Sequence, residues 1–550
     1  VAELTANQPW PIGGWAVAFD RWRENEAWWV GNVEGLERLY QREGTGRVTH
    51  RVHGEPYAGG IVGWAHARFW GRPVPGDEQR TRLHIPVPAD VATLSSDSLF
   101  AEPPSIEYPD DAKGVSDANR ERLAQIMGSK QARAAQAEGG ELASAFGATA
   151  LRLAWDDSRD RVWFEPIGAD VTIPEFRAGK LVALNAFTEY RRGNTVYRHI
   201  ERHEIGRIIH TLYEGTQTNL GRIVPLAELP ETKPYSEIPN LTDQGIETGI
   251  PRLTASWWVN APAREWRRKG DLAEAGRSDF SGGVIGLFDA IDETWSSWMR
   301  DLKLARARLI VDAAYLDSNG VTGSGASFDA DREVFQALDL AATPDKPFVQ
   351  AEQFDIRWEA HSATAQALYQ RVLSATGQGD LDKETTGSDK TATEINVGTS
   401  TRERTRDRKS LYAGQTLADL AQTAMMLDAV KYPGKGGGDF GEIEVEFPPA
   451  SQIKLTDLAP AIAQLRAAKT ISLETSIRLQ NPTWRRSEVD EEIARLEKET
   501  PDPAPDPTRI GNPLTDPEAA RRAEAQRLGL SPDNPANDQQ AQQRAAAVSR

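Results

Sequence analysis

Eight apolar residues at alternating steps of four and three constrain this chain more than anything else in it. Val284, Phe288, Ile291, Trp295, Trp298, Leu302, Ala305 and Leu309 fall along one stripe of an α-helix. Read from Val284 to Val311, that helix is a rod of about 42 Å at ~1.5 Å per residue. Helices in compact domains usually run three to four turns. A rod this long suits a coiled coil, a bundle or the stave of a barrel; one long core helix in a monomer is the plainer alternative. Asp292, Arg300, Asp301, Lys303 and Arg308 flank or oppose the stripe.

Two further helices follow. Trp358, His361, Ala365, Leu368, Val372 and Ala375 keep the helical step, which predicts a helix over 357–375. A longer one is predicted over 391–430. Its early half, GTSTRERTRDRKS, is polar, whereas Leu411, Leu417, Leu420, Ala424, Met425, Leu427 and Val430 make its late half apolar. One helix therefore passes from a wet environment into a packed one. The bland reading of the early half is a solvated face with ordinary i,i+4 ion pairs. Between the two helices lies TGQGDLDKETTGSDK, broken by Gly377, Gly379 and Gly387 and carrying Asp380, Lys383 and Lys390. Its acids do not reproduce the spacing of a calcium loop.

Upstream, short runs rich in Val, Ile, Phe and Tyr over 148–230 predict an antiparallel sheet or meander, with its clearest hairpin at 186–199. Residues 111–147 read as helical and 231–270 as a Pro-containing linker docked by Trp257 and Trp258. Pro86, Pro88, Pro103 and Pro104 limit regular structure, leaving a short helix at Val91–Leu94. Ile443, Val445 and Phe447 alternate with Glu442, Glu444 and Glu446, the pattern of a half-solvated edge strand. Residues 455–500 read as helical. Beyond 501, Pro, Asp, Ala and Gln dominate and disorder is expected.

The chain of 550 residues carries 64 Lys plus Arg against 81 Asp plus Glu, a formal charge of -17. That argues against tight general binding of nucleic acid but permits a duplex to slide past with weak attraction or mild repulsion. There is no Cys, so disulfides, thiolate metal sites and Cys nucleophiles are excluded, and an intracellular life is compatible. No apolar run is long enough to span a membrane.

Candidate chemistry is sparse. No G-x-x-x-x-G-K-[ST] phosphate loop exists; Gly434-Lys435 is followed by Gly436. No G-x-S-x-G elbow appears. His199, His203 and His210 form the one dense His group. On a strand, His199 and His203 share a face at about 13 Å, too far to share a metal. Asp156-Asp157 and Asp382 with Glu384 lack a third carboxylate for nuclease chemistry. No catalytic residue, metal or cofactor is expected, and the chain reads as a structural protein.

Several segments in combination resemble the portal proteins of tailed bacteriophages, the head-to-tail connectors, and most of all those of phages of actinobacteria. They are RLHIPVPADVATLSSDSLFAEPP at 82–104, WWVN at 257–260 and GLFDAIDETWSSWMRDLKLARARLIV at 286–311. QFDIRWEAHSATAQALYQRVLSATG at 353–377, TATEINVGTSTRERTRDRK at 391–409 and AAKTISLETSIRLQNPTW at 467–484 complete the set. The resemblance implies a mixed α+β, elongated portal-type subunit with long stem helices, an antiparallel sheet in the wing, a small α/β clip and a helical crown. It assigns 1–283 to the wing, 284–311 and 357–375 to stem helices, 312–356 to the clip and 376–390 to a tunnel loop. It assigns 391–450 to the second part of the wing and 451–500 to the crown, with 501–550 a disordered tail. Phe288, Ile291, Trp295, Trp298, Leu302 and Leu309 would then pack the stem. Gly377, Gly379, Asp380, Lys383, Gly387 and Lys390 would line the tunnel. Arg300, Lys303, Arg306 and Arg308 would make weak phosphate contacts.

By the same resemblance the partners are copies of the chain in a dodecameric ring, double-stranded DNA passing non-specifically, the terminase large subunit, the major capsid protein, a head-completion or adaptor protein and a scaffolding protein. The location is the capsid vertex of the virion, after assembly in the host cytoplasm. The alternatives are another head–tail adaptor, against which the size counts, and a DNA-processing nuclease.

Overall fold

The fold is described from a computed structural model, which covers residues 4–42, 51–52, 55–56, 83–109, 112–156, 158–238, 241–242, 245–305, 308–311, 349–352, 356–379, 392–448, 462–481 and 486–499. It is a mixed α+β fold whose sheets are antiparallel throughout the described residues. The chain divides into two units, Val1–Ser451 and Gln452–Arg550.

The first unit opens with α1 (Ala16–Val30) and α2 (Val33–Arg42), then the small strand pair β1 (Arg51–Val52) and β2 (Glu55–Pro56). Helix α3 (Val87–Phe100) is far longer than the short helix predicted at Val91–Leu94. Pro88 sits in its first turn, where a missing N–H costs nothing, so the prolines start this helix instead of preventing it. Strand β3 (Ser105–Glu107) follows. The helical stretch predicted over 111–147 is two helices, α4 (Asp117–Met127) and α5 (Lys130–Phe146). Each begins at a serine cap: Ser116 accepts from the Asn119 amide, and Ser129 from the Ala132 amide at 3.1 Å.

The predicted meander resolves into two sheets. In one, β4 (Ala148–Ala154) is flanked by β5 (Trp163–Gly168) and β12 (Ala255–Val259). The other runs in the order β10-β9-β8-β7-β6. Its members are β6 (Thr172–Arg177), β7 (Lys180–Arg192), β8 (Thr195–Glu204), β9 (Arg207–Thr216) and β10 (Asn219–Val224), with β11 (Ile246–Glu247) added to β9. The β7–β8 hairpin turns on Gly193-Asn194, and Gly193 takes φ +61°, a left-handed conformation that costs glycine little. The short helix α6 (Lys233–Ser236) lies between β10 and β11. Residues 231–270 are not a linker: β12 lies inside them, and its Trp257 and Trp258 are buried.

Helix α7 runs from Val284 to Leu304 and stops short of the predicted Val311. The chain then forms β13 (Arg308–Val311), paired with β14 (Val349–Glu352). Residues Arg308-Leu309-Ile310-Val311 include two β-branched side chains, which suit a pleated ladder better than a helix surface. Helix α8 (Trp358–Thr376) and helix α9 (Ala392–Lys431) lie within a residue or so of their predicted bounds. Strand β15 (Glu444–Glu446) pairs with β3, so the acid-lined strand does have one neighbour.

Two apolar cores hold this unit together. One gathers Trp22, Trp28, Phe146, Leu184, Phe280 and Phe288 from α1, α5, the larger sheet and the root of α7. The other sets the late half of α9, from Ala413 to Leu427, against α4, β5 and Trp258. Burying an aromatic as fully as Phe288 contributes about 2–3 kcal/mol by transferred area. The second unit, described by itself, contains α10 (Leu473–Gln480), capped by Ser472 through the Thr475 amide at 3.1 Å, and α11 (Arg486–Glu499).

Candidate functional site

The root of α7 is fixed by its own chain. Val284, Ile285, Phe288 and Ile291 sit in the first core, and Trp295 packs against it. This corrects the simplest use of the stripe: its first half seals α7 to the body of the same chain and is not free to seal a seam with another. Asp292, expected on the polar flank, is also buried. Its carboxylate lies 2.8 Å from His84 Nδ1 and accepts from the Ile85 amide at 2.9 Å. Burial pushes the Asp292 carboxyl up, partly offset by the His84 hydrogen bond. Ser296 accepts from the Leu83 amide at 3.0 Å. The segment at 83–85 is thus strapped along one face of α7.

The far half of α7 pairs with α8. The Trp295 and Trp298 rings stack with centroids 5.1 Å apart, and Trp298 stacks on His361 at 6.0 Å with ring planes 9° apart. Asp301 closes the end of this ladder. It accepts from Arg357 Nη2 at 2.8 Å and lies 2.9 Å from His361 Nε2. Those two partners hold the Asp301 carboxyl below its ordinary range. The end of α7 therefore meets the beginning of α8, while Val372 near the end of α8 joins the core around the root of α7. The two helices run antiparallel. Two large apolar side chains remain in solvent at the clasped end, Leu302 at 40% and Trp358 at 58% exposure.

The other expected residues fall as follows. Arg300 is exposed on α7. Lys303 is within α7, whereas Arg308 and Leu309 belong to β13, not to the helix. Arg306 lies outside the described residues. Gly377 and Gly379 take φ +77° and +73° where α8 ends. The Gln378 amide donates to Leu373 O at 2.9 Å, which closes the helix with a left-handed glycine cap. A Cβ on Gly377 would lie 2.4 Å from Thr405 Oγ1 of α9, so glycine leaves room for the Thr405 side chain against the end of α8. Asp380, Lys383, Gly387 and Lys390 lie outside the described residues.

The polar half of α9 is not uniformly solvated. Arg404 and Arg408 are exposed, but Arg406 and Lys409 are buried and continue the stripe of Ala413, Leu417, Leu420, Ala424 and Leu427. Sequence reading missed Lys409 with Asp279, Arg122 with Asp428 and His84 with Asp292. The helical step from Arg406 and Lys409 into Ala413 was the available signal.

The His group arranges differently from the sequence expectation. His199 finds its partner across the strand, not along it: Nε2 lies 3.1 Å from His210 Nδ1, and Tyr235 of α6 packs over both rings. His203 is buried between Thr254 and Glu201. Among the described residues no group of three or more His, Cys, Asp or Glu side chains is placed to hold a metal ion. No helix among them is long and apolar enough to cross a membrane.

A family model described as phage portal protein, SPP1 Gp6-like, matches residues 74–505. No curated protein matches. Among solved structures, the neck of a native GTA particle computed with C12 symmetry is similar at a TM-score of 0.36 and 10% identity, covering 72% of this chain and 90% of that one. The neck of an empty GTA particle computed with C6 symmetry gives 0.36 and 12%, covering 74% and 95%. The virion of a native gene transfer agent particle gives 0.33 and 13%, with the same coverage.

Proposed function

This chain belongs to the SPP1 Gp6-like phage portal protein family, and from that premise we propose that copies of it close into a ring at one capsid vertex and conduct double-stranded DNA. The match over 74–505 carries this reading. The antiparallel α7–α8 pair supports it. The pair is rooted in the core at one end and clasped by Asp301 at the other.

In this reading α7 and α8 are the stem, β13 and β14 begin the clip, and the segment from Gly377 to Lys390 is the tunnel loop. Leu302 and Trp358 provide apolar surface for the next copy. Such an interface is heterologous, one face of each subunit meeting a different face of its neighbour, and it closes by rotation. Conducting DNA needs no base recognition. The net charge of -17 keeps the duplex from adhering, and exposed cations such as Arg300 make brief, salt-sensitive contacts. The energy for packaging comes from a separate terminase large subunit, since this sequence has no phosphate loop. The clip is the docking surface for that motor and later for a head-completion or adaptor protein. The wing and crown meet the major capsid protein and a scaffolding protein.

Negative-stain imaging of the purified chain tests the reading. Annular particles with a central hole, twelve copies by family expectation, are the expected result. A homogeneous monomer that cuts DNA would overturn it.

A further inference from the structure

Two basic segments that lie far apart in the chain meet on one surface of the first unit. One is the loop between β12 and α7, where Arg264, Arg267, Arg268 and Lys269 are exposed. Trp266 is buried in the first core and anchors this turn, and the Lys269 amide donates to Trp266 O at 2.8 Å. The other is the polar half of α9, where Arg408 is exposed beside the buried Lys409. Arg277 stands between them, half-buried. Its amide donates to Ala261 O at 2.8 Å, and Asn260 Nδ2 donates to Arg277 O at 3.0 Å, so the two ends of the loop lie side by side. Lys409 Nζ lies 2.5 Å from Asp279 Oδ2, which brings the turn carrying Arg408 against the same segment.

Gathering like charges is unfavourable unless something neutralises them. Among the described residues no carboxylate lies within ion-pair distance of Arg264, Arg277 or Arg408, and the nearby Asp279 is already bonded to Lys409. Burial lowers the Arg277 pKa, the Arg264 charge lowers it further, Asp279 acts the other way, and Arg408 adds to the lowering. The acids of these segments, Glu265, Asp271, Glu274 and Asp407, are fewer than the cations.

We propose that Arg264, Arg277 and Arg408, with Arg267, Arg268 and Lys269 beside them, bind the phosphate backbone of a nucleic-acid duplex. The planar guanidinium fork matches phosphate oxygens two at a time. A duplex carries one negative charge per about 1.7 Å of axis, so it can engage all of these cations together, which scattered protein carboxylates cannot. Trp266 is the one aromatic of the loop and is buried, so the surface offers no platform for a base and reads no sequence. The total charge of -17 opposes adhesion in general, but charges beyond about 8 Å are largely screened at physiological ionic strength. The patch is a local exception, and its hold is salt-labile. None of these residues belongs to α7 or to 377–390. That the duplex is DNA rests on the portal reading; the phosphate site does not.

Fluorescence anisotropy of a labelled blunt DNA duplex of about 30 base pairs, titrated with the full chain across a salt series, tests the site. The variant Arg264→Gln/Arg277→Gln/Arg408→Gln is compared with the parent and with a control, Arg38→Gln/Arg222→Gln/Arg495→Gln, that removes as many exposed charges elsewhere. The expected result is binding by the parent at low salt, weakened at least about tenfold in the site variant, with the slope of log affinity against log salt shallower by about two to three. The control should change affinity less than about twofold. Arg264→Gln/Arg408→Gln alters exposed side chains only and keeps the test available if the triple variant fails to fold. Equal losses in site variant and control, or a parent that does not bind at low salt, would overturn the proposal. Polyglutamate of matched charge should compete far less well than unlabelled duplex; equal competition would assign the patch to an acidic protein surface and overturn it too. Imaging the same preparations for rings reports on the portal reading separately.

Discussion

Arg122 grips Asp428 with two parallel hydrogen bonds, from Nε and Nη2, each 2.8 Å from a carboxylate oxygen. The side chains are 3% and 0% exposed. Asp428 also accepts from the Val162 amide at 3.2 Å. One planar pair thus joins α4, the start of β5 and the late half of α9. Removing one partner leaves the other buried and unpaired. Arg122→Met or Asp428→Asn should cost about 3–5 kcal/mol in denaturant unfolding. Replacing both with apolar residues should cost clearly less than the sum. A single-variant loss below about 1 kcal/mol would show that the pair does not fasten α9.

Gly377 joins two demands, a left-handed backbone and a close approach to Thr405. Gly377→Ala should lose about 1–2 kcal/mol from the backbone alone, with a further loss from the contact. Thr405→Ala should recover the contact part and leave the backbone part. Full recovery in the double variant would mean that the left-handed conformation is unimportant.

The His199–His210 pair sets a pH dependence. Burial pushes the His199 imidazole down to about 4, with His210 as the next cause, and His210 is lowered as well, chiefly by burial. Unfolded His titrates near about 6.5. Between those values the unfolded chain binds more protons than the folded one. The His199 contribution is therefore full above about pH 6.5 and is lost as pH falls toward 4, by on the order of 3 kcal/mol. Asp170, pushed up to about 6 chiefly by burial, acts with the opposite sign in the same window, so the check is the difference between the parent and His199→Gln in denaturant midpoints. The parent should lose ground relative to His199→Gln as pH falls from about 6.5 to about 4; a difference that does not change with pH, or changes the other way, would contradict the assignment.

At the clasped end of the helix pair, packing should outweigh charge. Trp298 stacks on both Trp295 and His361, so Trp298→Ala should cost about 2–3 kcal/mol. Asp301 is partly exposed and its ion pairs are screened; Asp301→Asn should cost less than about 1 kcal/mol. Thermal unfolding of the two variants side by side checks the order, which fails if Asp301→Asn is the more damaging.

Much of this fold is legible in the residues, and what is not has identifiable physical causes. The end of α9 follows from the apolar spacing of its late half, closed by Pro433 and glycines. The end of α7 is ambiguous in sequence because Ala305 and Leu309 keep the helical step, while Arg308-Leu309-Ile310-Val311 fits a strand equally well. Tertiary pairing with Val349–Glu352 decides between them. Pro88 looks like a breaker in sequence, since its position in the first turn is visible only once the helix start is known. Lys409 and Arg406 were hidden by their charge: a Lys or Arg among Glu and Asp reads as solvated, and only a buried partner such as Asp279 reverses that. Arg122 and Asp428 are far apart in the chain, and no local pattern brings them together. For the tunnel-loop residues, Gly377 and Gly379 are placed at the helix end, whereas the role of the loop rests on the family.

The proposed ring requires α7 and the chain from Gly377 to Lys390 to face a shared pore. A symmetry-averaged cryo-electron microscopy reconstruction of the purified assembly measures this directly, as the radius of Arg300 and of residues 377–390 from the rotation axis. The prediction is a closed ring with 377–390 at its narrowest point and α7 beside the channel. Finding both segments on the outer rim, or no rotational assembly at all, would contradict it.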